Sequence, residues 1–164
     1  MVRETERKFE AADGVELPGW SGLAGVEALV GPEEQTVEAV YYDTEDLRLA
    51  RAGVTLRRRC GGDDAGWHFK QPVGRGSGED RDNRDEVQVG DARAGRRRTP
   101  PAELTALTRA LTRGAPLAPV AELTTARRRW PERFPTAACW WRWSMTTSPG
   151  TRWARPRRGC RGVR

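Results

Sequence analysis

The chain has no isoleucine, a single histidine (His68), a single asparagine (Asn83) and two lysines, Lys8 and Lys70, against 27 arginines. No apolar run approaches the roughly 18 residues a membrane-spanning helix needs, which excludes that class of membrane protein. The N-terminus is charged from Arg3 and lacks the apolar stretch of a secretory signal, so a cytoplasmic location is expected. Cys60, Cys139 and Cys160 are widely spaced, with no CxxC pair and one histidine to join them. A structural zinc site is therefore not expected, and a disulfide scaffold does not suit that compartment. There is no GxxxxGK[ST] loop; the Gly74-Arg75-Gly76-Ser77-Gly78 run has no helix after it and reads as a flexible connection. With 164 residues, 37% hydrophobic and 32% charged, the chain suits one domain with a modest core.

The formal net charge of +6 raises the question of a nucleic-acid partner, and the location of the charge answers it. From Trp130 to Arg164 there are eight arginines and one acid, Glu132; the first 129 residues hold 21 bases and 22 acids. The basicity belongs to the tail. That tail also carries five of the seven tryptophans, no leucine and one valine, Val163, so neither helical nor strand periodicity supplies a face to bury. Aromatics interleaved with arginine can stack on single-stranded nucleic acid, but the composition has another explanation, and nucleic acid is not the expected partner.

The arginine excess and the missing isoleucine are what GC-rich codons produce. Written in such codons, Ala138 to Thr147 read one base earlier becomes GVLVEVVDDD. The Leu across Cys139/Trp140, the Val across Trp140/Trp141 and the Asp across Met145/Thr146 hold for every synonymous codon. A strand followed by an acidic loop thus replaces an unpatterned segment. The reading frame is predicted to shift near Arg127 to Trp130, leaving residues 130–164 irregular. A disordered basic tail is the alternative.

The preceding residues do have pattern. Val2 to Glu10 alternates so that Glu4, Glu6 and Lys8 share one strand face, with Arg3, Thr5, Arg7 and Phe9 on the other. A strand with two polar faces is either an exposed edge or part of a barrel whose interior is itself charged. Later segments bear on the choice. Ala39 to Tyr42 ends at Asp43-Thr44, where Thr44 can cap a short helix through Arg51. Gly53 then turns the chain into Val54 to Arg59, with Arg57 and Arg59 on one face. The cluster Gly61 to Gly66 signals a hairpin. Trp67 to Gln71 returns with His68 and Lys70 on one side and Trp67 and Phe69 on the other, and Arg84, Glu86 and Gln88 alternate with Val87 and Val89. Each strand offers one charged face, which points to a shared charged interior. His68 has no serine or cysteine partner and reads as a strand residue; Arg96-Arg97-Arg98 reads as a solvated linker.

These residues resemble a known family. Glu4-Thr5-Glu6-Arg7-Lys8 matches the ExExK signature of the CYTH domain, whose members are triphosphate tunnel metalloenzymes. Tyr41-Tyr42-Asp43-Thr44, Leu56-Arg57-Arg58-Arg59, Lys70 and Arg84-Asp85-Glu86 follow in the family's order and spacing. The match covers about Met1 to Arg129, including a helix over Pro101 to Arg113 and the Gly114 to Leu117 connection. It is similar to the bacterial CYTH domains that often precede a helical CHAD domain, of which these residues show nothing.

The resemblance implies an α+β fold, an antiparallel β-barrel or tunnel with short helices outside. It implies that Glu4 and Glu6 bind magnesium or manganese, that Lys8, Arg57, Arg59, Lys70, Arg84 and Arg128 bind phosphate oxygens, and that Glu86 is a catalytic residue, ligating a second metal or orienting water. In the triplet Arg127-Arg128-Arg129 the register is open. The charges suit such a ligand: a triphosphate carries about four negative charges, which need several cations at hydrogen-bonding distance, and hard oxygen donors suit magnesium or manganese. The family's acidic turn and closing strand of alternating glutamates have no counterpart after Arg129, so an incomplete barrel is expected. Three functional readings follow: a metal-dependent triphosphatase, a polyphosphate or nucleotide-triphosphate binding module without turnover, and an inactive product of a disrupted gene. The partner is a triphosphate or polyphosphate-containing small molecule, with no membrane.

Overall fold

The computed structural model describes residues 1–6, 28–29, 33–61, 64–73, 82–90, 98–133, 142–147 and 151–153, with the isolated positions 12 and 15. Its strands are β1 (Val2–Glu6), β2 (Ala28–Leu29), β3 (Glu33–Asp43), β4 (Thr55–Cys60), β5 (Gly66–Pro72), β6 (Asp82–Gly90), β7 (Ala118–Arg133), β8 (Arg142–Thr147) and β9 (Thr151–Trp153). Two helices, α1 (Arg48–Arg51) and α2 (Ala102–Thr112), complete the fold. The sheet order is β1-β6-β5-β4-β3-β7-β2, with β8 and β9 also pairing with β7, and every pairing is antiparallel. Among the described residues no strand closes the sheet between β1 and the β7 end, so the barrel is incomplete, as expected.

One face of the sheet builds the core. Tyr42, Val54, Leu56, Trp67, Phe69 and Val89 project toward Leu49 of α1 and Leu104 of α2, and all of them are buried. Tyr42 and Trp67 pack with ring centroids 4.8 Å apart at 50°, a tilted pair of the kind aromatic quadrupoles favour. Strand alternation supplies this apolar face, and the helices cover it because it cannot be left in water. The other face, left to line the concave side, is the charged one.

The turn from β3 into α1 depends on two buried polar side chains. Asp43 accepts hydrogen bonds at Oδ1 from the backbone N–H groups of Thr44 (2.7 Å) and Leu49 (2.9 Å), and at Oδ2 from that of Ala50 (2.9 Å). Thr44 Oγ1 accepts from the Arg48 N–H at 3.1 Å and donates to Asp46 at 2.8 Å. Thr44 does cap the helix start, but Asp43 satisfies more of its orphan donors. Gly61, at φ 81°, makes the turn after β4; a side chain there would place a Cβ 3.1 Å from the Thr36 carbonyl.

Three sequence expectations need adjustment. β3 begins at Glu33 rather than Ala39, because the polar stretch Glu33–Glu38 is held by pairing with β7 and not by an alternating apolar pattern. Cys60 is disulfide-bonded, whereas compartment, not geometry, had argued against disulfides. Finally, the tail is expected to be irregular, yet β8 and β9 run as strands along β7. Edge pairing needs only backbone N–H and C=O groups, so it does not require a buried side-chain pattern. Cys139, Trp140 and Trp141 lie outside the described residues.

Candidate functional site

Residues directly opposite one another across a strand pair share a face, so the register identifies what lines the concave side. Arg57 lies opposite Tyr41 on β3 and His68 on β5; Arg59 lies opposite Ala39 and Gly66; Thr55 lies opposite Lys70. Lys70 then faces Glu86, and Pro72 faces Arg84. Across the next pair, Arg84 meets Glu4 and Glu86 meets Val2. On the other flank Gln35 meets Arg127. One sheet face therefore carries Glu4, Arg57, Arg59, Lys70, Arg84 and Glu86, drawn from four strands that the sequence separates by turns and loops. The Glu6 position of β1, opposite Asp82 of β6, belongs to the same alternation; Lys8 lies outside the described residues.

The charges on this face hold one another. Lys70 Nζ donates to Glu4 Oε2 at 2.5 Å and lies 3.7 Å from Glu86 Oε1. Glu86 Oε1 is also 2.7 Å from His68 Nδ1, while His68 Nε2 donates to the Asp64 backbone carbonyl at 2.8 Å. Burial pushes the Glu86 carboxyl up, but the His68 hydrogen bond and the charges of Lys70, His68 and Arg57 outweigh it and hold the group below its ordinary range. His68 is thus not a plain strand residue: it is 2% exposed and fastens the β4–β5 turn to Glu86.

The arginines sit deeper. Arg59 is 5% exposed, with the small Ala39 opposite it leaving room for the guanidinium. Burial lowers the Arg59 pKa, and the charges of Arg57 and Arg127 lower it further, against the opposing effect of Asp64. The Asp64 carboxylate forms an ion pair with Arg59 Nη1. Arg57 Nη1 donates to the Tyr41 hydroxyl at 3.3 Å. Among the described residues the Nε atoms of Arg57 and Arg59 are nevertheless buried without a hydrogen-bond partner, as is Nε1 of Trp67 on the opposite, apolar face. A buried donor left unmatched costs about 1–3 kcal/mol.

Register also resolves the arginine triplet. Arg127 falls on the concave face, close enough to Arg59 for its charge to be felt there. Arg128 points the other way and is largely exposed, with its Nε 3.4 Å from Glu34 Oε1. The expectation that Arg128 joins the site is corrected in favour of Arg127, because strand alternation lets only one of two consecutive residues face inward. Asp64 was not singled out in the sequence either. Its only signal is its place in a hairpin turn five residues beyond Arg59, within reach of that strand's end.

As donors, the carboxylates of Glu4 and Glu86 offer hard oxygens of the kind magnesium or manganese takes. Among the described residues no three histidine, cysteine or acidic side chains cluster as a ready-made ligand set. No helix among the described residues is long and apolar enough to cross a membrane.

Comparison with known proteins adds to this geometry. The model of the CYTH domain family matches residues 2–132. Two uncharacterised proteins of Mycobacterium tuberculosis, from different strains, are each 40% identical to the chain over 124 residues, 76% of this chain and 23% of theirs. The chain thus spans about a quarter of the length of these relatives. A crystal structure of a candidate adenylate cyclase from Bacillus halodurans aligns with a TM-score of 0.42 and 16% identity, over 70% of this chain and 65% of that one.

Proposed function

The chain belongs to the CYTH domain family, whose fold binds triphosphate-containing substrates, and on that premise we propose that its concave face is the binding site of a metal-dependent hydrolase of the inorganic triphosphatase type. The observation that carries this reading is the gathering of Arg57, Arg59, Lys70 and Arg84 on one sheet face, with Arg127 on the far flank of that face. Cations gathered on one wall repel one another; Glu4, Glu86 and Asp64 offset part of that charge, and an anion with several oxygens would offset the rest.

In this reading Arg57, Arg59, Arg127, Lys70 and Arg84 grip phosphate oxygens and neutralise the charge that develops as the anhydride breaks. Lys8 would join them from beyond the end of β1. Glu4 and Glu6 would hold magnesium or manganese, which would supply Lewis-acid polarisation of the phosphoryl group. Glu86, whose carboxylate is favoured by His68 and Lys70, accepts a hydrogen bond from the attacking water in this reading and orients it.

A second reading, binding without turnover, is favoured by the open sheet: among the described residues β1 has no partner on its outer side and the described strands do not close a tunnel. The composition of the tail supports it too. Residues 130–164 bring one acid and eight arginines where the resemblance leads one to expect an acidic turn and closing glutamates, as a shifted reading frame would produce. An inactive product of a disrupted gene is the limiting case.

The test is phosphate release from inorganic triphosphate by the purified chain with millimolar magnesium or manganese, beside calorimetric binding. Release that disappears in Arg57→Ala supports the hydrolase; binding without release supports the module; neither supports the disrupted gene. A chain with the frame restored after Arg127 should release phosphate faster than the chain as written, and equal rates would remove the frame argument.

A further inference from the structure

Arg59 is buried on the concave wall, 5% exposed, and a positive charge there is costly without a counter-charge. Arg57 and Arg127 add to the cost rather than relieve it. The carboxylate that relieves it comes from Asp64, in the turn between β4 and β5, through an ion pair with Arg59 Nη1. The two partners are unequally enclosed. Arg59 is 6% exposed at its side chain, but Asp64 is 39% exposed, so the acid approaches from the solvent side.

The main chain and the side chain of Asp64 are held differently. Its backbone carbonyl accepts from His68 Nε2 at 2.8 Å and lies 3.4 Å from Gln88 Nε2, which anchors the turn to β5 and β6. The carboxylate has Arg59 as its counter-charge and is otherwise part-exposed. Rotation about the Asp64 side chain can therefore expose Arg59 with no movement of the backbone.

We propose that Asp64 is an internal placeholder anion: its carboxylate occupies the Arg59 guanidinium when the site is empty and is displaced to solvent when a phosphate oxygen arrives. This inference rests on the phosphate-binding reading above and adds an affinity-setting residue to it. The exchange is favourable because a triphosphate brings about four negative charges against one, and the released carboxylate is rehydrated. Asp64 keeps the empty site from carrying an uncompensated buried charge and weakens binding in doing so.

The sign of the effect separates this role from a structural one. Asp64→Asn removes the competing charge while preserving the shape of the turn. In calorimetric titration of the full chain with inorganic triphosphate, it should bind about five-fold more tightly than the unaltered protein. Without ligand it should melt at a lower temperature, because Arg59 loses its counter-charge. Asp85→Asn makes the same charge change on the outer face, where Asp85 pairs with Arg3 at 2.6 Å, and should leave affinity within two-fold, on the order of an exposed pair's effect. Asp64→Ser serves as a second variant should the asparagine misfold. Equal or weaker binding by both Asp64 variants, with the unaltered protein binding normally, overturns the placeholder alone. Equal tightening by Asp85→Asn also overturns it, since net charge then accounts for the gain. Absence of triphosphate binding in every variant, Asp64→Asn included, overturns the phosphate-binding reading together with it.

Discussion

Lys70 Nζ on β5 lies 2.5 Å from Glu4 Oε2 on β1, although β6 runs between the two strands and 66 positions separate the residues in the chain. The contact crosses over Glu86 on β6, whose Oε1 lies 3.7 Å from the same ammonium. One cation thus spans three strands of the concave face. It also keeps two carboxylates, each a possible ligand for a divalent ion, from facing one another unscreened.

Replacing Lys70 by methionine retains the length of the side chain and removes this bridge. Its side chain is 14% exposed, but that of Glu4 is 36% exposed, which places the loss at the lower end for a charged hydrogen bond, about 1–2 kcal/mol. Urea denaturation should show the lower midpoint. Binding of inorganic triphosphate should weaken as well, by about ten-fold or more for a lost charge-assisted contact. A variant as stable as the parent would show that the bridge contributes nothing.

The depressed pKa of Glu86 has a consequence with a definite sign. A carboxyl whose folded-state pKa lies below its unfolded value stabilises the fold fully above that unfolded value, near 4.5 for glutamate, and loses the contribution as pH falls through the folded value. The stability gap between the parent and Glu86→Gln should be largest above pH 5 and shrink steadily as the solution is acidified below it. A gap independent of pH between 3 and 7 would mean that His68 and Lys70 do not hold the carboxylate ionised.

Consecutive arginines should behave differently. Arg127→Ala, on the concave face, is expected to lower triphosphate affinity by about ten-fold. Arg128→Ala, whose partner Glu34 is 76% exposed at its side chain, should alter neither affinity nor stability appreciably. Titration calorimetry on the two variants decides the register, and the reverse order of effects would restore the sequence-based choice of Arg128.

Asp43 is 3% exposed and accepts from three backbone N–H groups around the start of α1. Asp43→Ala leaves those donors buried and unmatched, for a loss of about 3 kcal/mol or more. Asp43→Asn keeps one acceptor oxygen but turns an amide N–H toward a backbone donor, so it should fall between the two. Chemical denaturation of the series orders them; an alanine variant within about 0.5 kcal/mol of the parent, the range of ordinary surface changes, would contradict the capping role.

Much of this was legible beforehand because strand alternation is a local property. From Leu56, Trp67, Phe69 and Val89 alone one can read which side of each strand is buried. The same period places Arg57, Arg59, Lys70, Arg84 and Glu86 on the opposite side. β3 before Ala39 and the whole of β7 were not legible: residues such as Glu33, Glu34 and Thr124–Arg129 carry no apolar period, and their strand conformation comes from pairing with each other. Asp64 and His68 were missed for a related reason. Neither belongs to a motif, and the partners that give them meaning, Arg59 and Glu86, are brought to them by hairpin closure.

The sequence by itself determined the antiparallel class, the split between an apolar and a charged sheet face, and the family, since each depends on residue type and short-range spacing. Tertiary structure decided which arginine of the triplet faces inward, which carboxylate neutralises which cation, and which donors remain unmatched. Those outcomes depend on register between strands far apart in the chain, and a shift of one residue in that register would turn every side chain to the other face.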